Sequence, residues 1–184
     1  MKEDGELMRR VQSGDEAALG MLMDRWELPV KGLLMRFMHN GHEAADLAQD
    51  TFVRVWEQRA RFRAGADFKP WLFSIAVNLA RNRLRWWRRR PEVTLDAWSG
   101  AGETETSAGR MERKEQAMAV RDAISELPRD LRTAVILAEF EGLSQAEIAQ
   151  VTGTTTKAVE SRLYRARTTL RKSLAHWMER GVTA

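Results

Sequence analysis

The chain has 184 residues, 43% hydrophobic and 30% charged, with a formal net charge of +4 and no cysteine. The missing thiols exclude disulfides and thiolate metal sites within the chain, and the apolar content supports a packed core rather than global disorder. No apolar run approaches the ~18 residues of a membrane helix, and the opening MKEDGELMRR carries no leader pattern, so a cytoplasmic protein without a membrane span is expected. Charge is uneven: Arg81 to Arg90 holds six arginines in ten residues, whereas the middle of the chain is acidic. A surplus of this kind suits a polyanion partner.

In chain order, Glu6 to Val11 reads as a short helix ended near Ser13-Gly14. Asp15 caps the next, whose apolar face runs through Ala18, Leu19, Leu22, Met23 and Trp26. Pro29 is expected to kink or divide it before Leu33, Leu34, Phe37 and Met38 continue the face. Asn40-Gly41 is a turn signal, and His39 and His42 on either side read as surface residues rather than metal ligands. From His42 to Arg61 the spacing predicts a helix with Leu47, Thr51, Phe52, Val55 and Trp56 on a core. Asp46, Gln49, Asp50 and Glu57 form its acidic side, which suits plain solvation or a basic docking partner better than a metal.

Phe62 to Lys69 is a loop containing Gly65, with Asp67 as the expected cap of a long helix over Phe68 to Arg90. Pro70 sits in that helix's first turn, where its missing N–H costs little. Trp71, Leu72, Ile75, Leu79, Ala76 and Trp86 are its candidate core. Asn78, Arg81, Asn82, Arg85, Arg88 and Arg89 share another face at helical spacing. Arginines beside aromatic rings suit a nucleic acid with exposed bases, the cations meeting phosphate and the rings stacking; the tryptophans are equally readable as core.

Pro91 stops this helix. Residues 91–110, rich in Gly, Ser, Thr and Glu, read as a flexible acidic linker. Met111 to Leu127 is helical, with Met118, Val120, Ala123, Ile124 and Leu127 apolar. Pro128 opens a helix bearing Leu131, Val135, Ile136 and Leu137, which Gly142 ends.

Ser144 to Arg171 is a helix-turn-helix pattern. Ser144 and Glu147 make a capping box, Ala149 leaves room for a crossing helix, and Gly153 permits the turn. The second helix carries Val159, Leu163, Ala166 and Leu170 on one stripe. Lys157, Ser161, Tyr164, Arg165, Thr168 and Lys172 face the other way, a polar cationic surface suited to the major groove. The fold class is therefore all-α: two small helical domains, 1–90 and 111–184, joined by the linker, the second containing the helix-turn-helix.

The order of these features resembles the extracytoplasmic-function sigma factors of bacterial RNA polymerase. DLAQDTFVRVW (Asp46 to Trp56) is similar to that family's polymerase-docking helix. FKPWLFSIAVNLARNRLR (Phe68 to Arg85) is similar to its promoter-melting segment, and Glu126 to Arg171 to its promoter-reading domain. The resemblance implies that Asp46, Gln49, Asp50 and Arg54 meet core RNA polymerase. Lys69, Trp71, Asn78, Arg81, Asn82 and Arg85 would hold the melted minus-ten strand, and Lys157, Glu160, Ser161 and Arg165 would read the minus-thirty-five element. Arg165 is then placed to hold guanine and Glu160 to accept from cytosine, although many relatives carry a basic residue at the position of Glu160. It further implies a linker threaded into polymerase, an anti-sigma factor as inhibitory partner, no cofactor and no catalytic residue. Two other classes stay open at this stage. A free-standing helix-turn-helix regulator would bind duplex without polymerase; a nuclease would use Asp46, Asp50 and Glu57 on a divalent metal.

Overall fold

The computed structural model describes residues 2–90 and 108–180, which form two helical units. The first comprises α1 (Lys2–Gln12), α2 (Glu16–Met38), α3 (Gly41–Gln58), a 3-10 turn (Arg59–Arg61) and α4 (Phe68–Arg89). The second comprises α5 (Ala108–Glu126), α6 (Arg129–Val135), a π-turn (Ile136–Phe140), α7 (Gln145–Thr152), α8 (Thr156–Ser173) and α9 (Ala175–Arg180). No strand occurs among the described residues. The expected linker lies outside them except at 108–110, where α5 has already begun.

The N-terminal unit is built on the α2–α3 pair, against which α4 and α1 pack. Leu22, Leu33, Leu34, Leu47, Leu72 and Phe73 are fully buried, each on a stripe set by helical spacing. Local signals fix the helix ends. The Asp15 carboxylate accepts from the Ala18 amide at 3.0 Å, and Asn40 accepts from the His42 and Glu43 amides, each satisfying amides that have no partner within the helix. Asp67 holds the extended N-cap backbone of α4 but makes no capping bond.

Several expectations need correction. Pro29 does not divide α2, which runs unbroken from Glu16 to Met38. The lost hydrogen bond is outweighed by burial on both sides of it, at Ala18 and Leu22 and at Val30, Leu33 and Leu34. The helix expected to reach Arg61 tightens to 3-10 geometry after Gln58. His39 is half-buried, a left-handed C-cap at φ 53° donating its backbone N–H to Met35, while His42 is exposed. Trp86 lies outside the core at 40% exposure, and Leu79 is half-buried. Met118 of α5 is exposed, unlike Ala123, Ile124 and Leu127.

The C-terminal unit packs α6 against α8, with α5 across both. Leu131, Ile136, Leu137, Ile148, Val159 and Leu163 are buried. After Val135 the chain widens into a π-turn, and the Glu141 amide reaches back to the Ile136 carbonyl at 3.3 Å.

Candidate nucleic-acid interface

In the helix-turn-helix, the Ser144–Glu147 box is formed in full. The Ser144 amide donates to Glu147 Oε2 at 2.8 Å, and the Glu147 amide donates back to Ser144 Oγ at 3.3 Å. Gly153 takes φ 65° between α7 and α8; a Cβ there meets no atom, so the demand for glycine is one of backbone conformation. Thr155, which the sequence reading did not single out, caps α8 by accepting from the Ala158 amide at 3.2 Å.

The rotation of α8 follows from its stripe. Val159, Leu163 and Ala166 are buried and Leu170 is half-buried, so Lys157, Glu160, Ser161 and Arg165 share the exposed side. Tyr164, read onto this face from the sequence, lies among them at 73% exposure. With Gln145, Glu160, Arg167 and Arg171 it lines a shallow groove beside the helix. Not every cation of α8 is available. Arg162 pairs with Asp130 of α6 at 3.4 Å, and Arg167 with Glu139 of the π-turn at 2.8 Å. On α6, Arg132 is half-buried, and burial, with the nearby Arg129 adding to it, holds its guanidinium below its ordinary pKa.

On α4, Leu72, Phe73, Ile75, Ala76, Val77 and Ala80 are buried, leaving Asn78, Asn82 and Arg85 exposed and Arg81 half-buried. Arg85 donates to the Asn82 side-chain oxygen at 2.8 Å. Arg83 turns away from this face and pairs with Glu43 of α3. Lys69 and Trp71 sit at the other end of α4, roughly 20 Å along the axis from Asn82 at 1.5 Å per residue. There the Lys69 ammonium lies 5.5 Å from the centre of the Phe73 ring. Trp71 is half-buried in an aromatic corner with Phe62 and Phe68, and Trp26 stands edge-on to Phe68 and Phe73. The Gln12 amide ties α1 to this corner by donating to the carbonyls of Arg59 and Phe62 at 2.9 and 2.8 Å. That bond spans about fifty residues of sequence and has no local signature.

Asp46, Gln49, Asp50 and Arg54 come together on the exposed side of α3, around Val53 at 55% exposure. Arg54 is neutralised by Glu57 at 2.7 Å, so the face is net acidic. Among the described residues, no three His, Cys, Asp or Glu side chains converge as a metal ion requires, and no helix is long and apolar enough to cross a membrane.

The family model for sigma-70 region 2 matches residues 22–90, and that for sigma-70 region 4 matches residues 117–170. The RNA polymerase sigma-H factor of Pseudomonas aeruginosa is 38% identical over 182 residues, covering 94% of this chain and 94% of that protein. The ECF RNA polymerase sigma-E factor of Haemophilus influenzae is 35% identical over 173 residues, covering 89% and 91%. The chain belongs to the extracytoplasmic-function sigma factors. As a sigma factor it is a transcription initiation factor that directs RNA polymerase to specific promoters, region 2 serving the minus-ten and region 4 the minus-thirty-five element. Among solved structures, CnrH in complex with the cytosolic domain of CnrY superposes with a TM-score of 0.72 at 28% identity, covering 95% of this chain and 98% of that one. The region 2 match ends at residue 90, one past the last residue of α4, and the region 4 match takes in α6, α7 and all but the last three residues of α8.

Proposed function

We propose that three exposed faces divide the work of this sigma factor. Asp46, Gln49, Asp50 and Arg54 on α3 dock the N-terminal domain, residues 1–90, onto a basic surface of core polymerase. Lys69, Trp71, Asn78, Arg81, Asn82 and Arg85 along α4 carry the melted minus-ten strand, cations on phosphates and the Trp71 corner beside an unstacked base. Lys157, Glu160, Ser161 and Arg165 of the C-terminal domain, residues 111–184, read the minus-thirty-five duplex, each good base contact contributing ~1–3 kcal/mol of discrimination. Residues 91–110 link the two domains, so that two weak sites act as one through effective concentration. The protein itself is not an enzyme, acts in the cytoplasm and takes no cofactor. The catalytic work belongs to polymerase. An anti-sigma factor is its further partner: CnrH, its structural relative, was solved with the cytosolic domain of CnrY.

The observation that carries this reading is the rotation of α8, which buries Val159, Leu163 and Ala166 and so turns all four assigned reading residues outward together. A pair of variants tests it. Asp50→Arg is expected to weaken assembly with core polymerase while keeping its helical spectrum. Arg165→Ala is expected to assemble normally and lose selectivity at a single base pair. The reading fails if the two variants share one defect.

A further inference from the structure

Among its described residues the N-terminal unit exposes Met21, Leu28, Met35, Val53 and Trp86 as large apolar side chains. Three of them stand on α2 at intervals of seven residues, with exposures of 47%, 76% and 39% at Met21, Leu28 and Met35. Seven residues fall about 20° short of two full turns. The three side chains therefore form one line, roughly 21 Å long at 1.5 Å per residue. It runs along the side of α2 away from the buried Leu22, Val30, Leu33 and Leu34. A single exposed leucine needs no explanation, but an apolar line repeating every seventh residue is the seam of a helix pair.

The charges beside the seam choose its occupant. Asp24 and Lys31 are exposed and lie on the same flank, Asp24 one turn before Leu28 and Lys31 one turn after it. On the other flank, Arg25 is already paired with Glu3 and Asp4 of α1, and Gly32 presents no side chain. A second α2 laid antiparallel on the first, about a two-fold axis at Leu28, keeps each flank on its own side and reverses the order along the helix. Leu28 then meets Leu28, and Met21 meets Met35 at both ends. Asp24, ~6 Å from the axis along the helix, comes level with Lys31 of the other copy, ~4.5 Å from it. Arg25 comes opposite Gly32, so no like charges face one another. The seam is complementary to itself, which is the requirement of a two-fold interface between identical chains.

We propose that α2 is a self-association surface, pairing antiparallel with α2 of a second copy, with Leu28 on the axis and Asp24 bridged to Lys31 on both sides of it. The seam shares no residue with the three faces assigned above. One helix pair makes a small interface, so the dimer is weak and depends on concentration. Sedimentation equilibrium of the full chain, from about 1 µM to about 300 µM, tests it. The wild type is expected to pass from monomer to dimer and no further, because a two-fold interface closes on itself. Leu28→Asp, changed at an exposed position, should keep its helical spectrum and associate about tenfold more weakly or worse, two carboxylates now meeting at the axis. Asp24→Lys and Lys31→Asp should each associate less than the wild type. An equimolar mixture of these two variants should recover association, since every pair across the axis is again opposite in charge. A wild type that stays monomeric throughout overturns the proposal, as does a Leu28→Asp variant that dimerises like the wild type or a mixture no tighter than its components. A monomeric wild type whose Leu28→Asp variant loses assembly with core polymerase also overturns it and assigns the seam to polymerase.

Discussion

The indole of Trp71 stands edge-on to the Phe62 ring, with centroids 5.2 Å apart and planes at 69°. Phe62 is buried and closes the loop that leads into α4. The tryptophan therefore props the loop that leads into α4, the helix proposed to carry the melted strand. Trp71→Ala is expected to lower the stability of the N-terminal unit by about 2–3 kcal/mol, below the usual range for a full tryptophan deletion because the ring is only half-buried. Trp71→Phe keeps most of the packing and is expected to cost under ~1.5 kcal/mol. Chemical denaturation of the two variants measures this. Equal stability of Trp71→Ala and the wild type would show that the corner does not prop the loop.

The capping box predicts a local effect. Removing the hydroxyl in Ser144→Ala leaves the Glu147 amide without its acceptor. It is expected to cost ~1 kcal/mol, and amide exchange should quicken at the start of α7 before anywhere in α8. Uniform acceleration across both helices would contradict a cap and indicate a change in the core.

Asp15 gives a pH dependence with a definite sign. The Ala18 amide, and after it the Arg10 guanidinium, hold its carboxyl below the ordinary value of 3.8. A folded pKa below the unfolded one contributes stability that is fully present above the unfolded value and is lost as pH falls through the folded one. Wild type should thus exceed Asp15→Asn in stability at neutral pH, and the difference should close below ~pH 4. A gap that persists into strong acid contradicts the assignment.

Two ion pairs of the N-terminal unit should differ in worth. Arg83–Glu43 joins α4 to α3 with both side chains about one-quarter exposed, at 31% and 21%. Arg54–Glu57 lies along one helix with both about half exposed, at 52% and 49%. Glu43→Gln leaves a partly buried guanidinium unpaired and is expected to cost about 1–2 kcal/mol, whereas Glu57→Gln should cost under ~0.5 kcal/mol. Thermal unfolding of the two variants ranks them, and the reverse order would be inconsistent with this packing.

The sequence was most legible where structure is local. Apolar spacing gave the helices and the outward face of α8, and side-chain caps at Asp15 and Ser144 marked helix starts that the structure keeps. What escaped depends on residues distant in the chain. Arg83 looked like one more cation of a basic cluster until Glu43, forty residues away, paired with it. Arg162 and Arg167 are likewise held by Asp130 and Glu139. Trp86 was read into the core by period alone, yet it lies at the far end of α4, with the Arg90 guanidinium 5.2 Å from the centre of its ring. Pro29 was read as a break because helix propensity counts one missing N–H, whereas tertiary burial on both sides decides the outcome. The π-turn at Ile136–Phe140 has no local sequence signature.

The central claim is that this chain confers promoter choice on a polymerase that lacks it. Run-off transcription with purified bacterial core polymerase on a genomic promoter library, with and without the protein, tests that claim directly. The account predicts discrete new start sites that appear only when the protein is added, sharing one minus-ten and one minus-thirty-five sequence. An unchanged transcript pattern, together with tight and selective duplex binding by the protein alone, would contradict it.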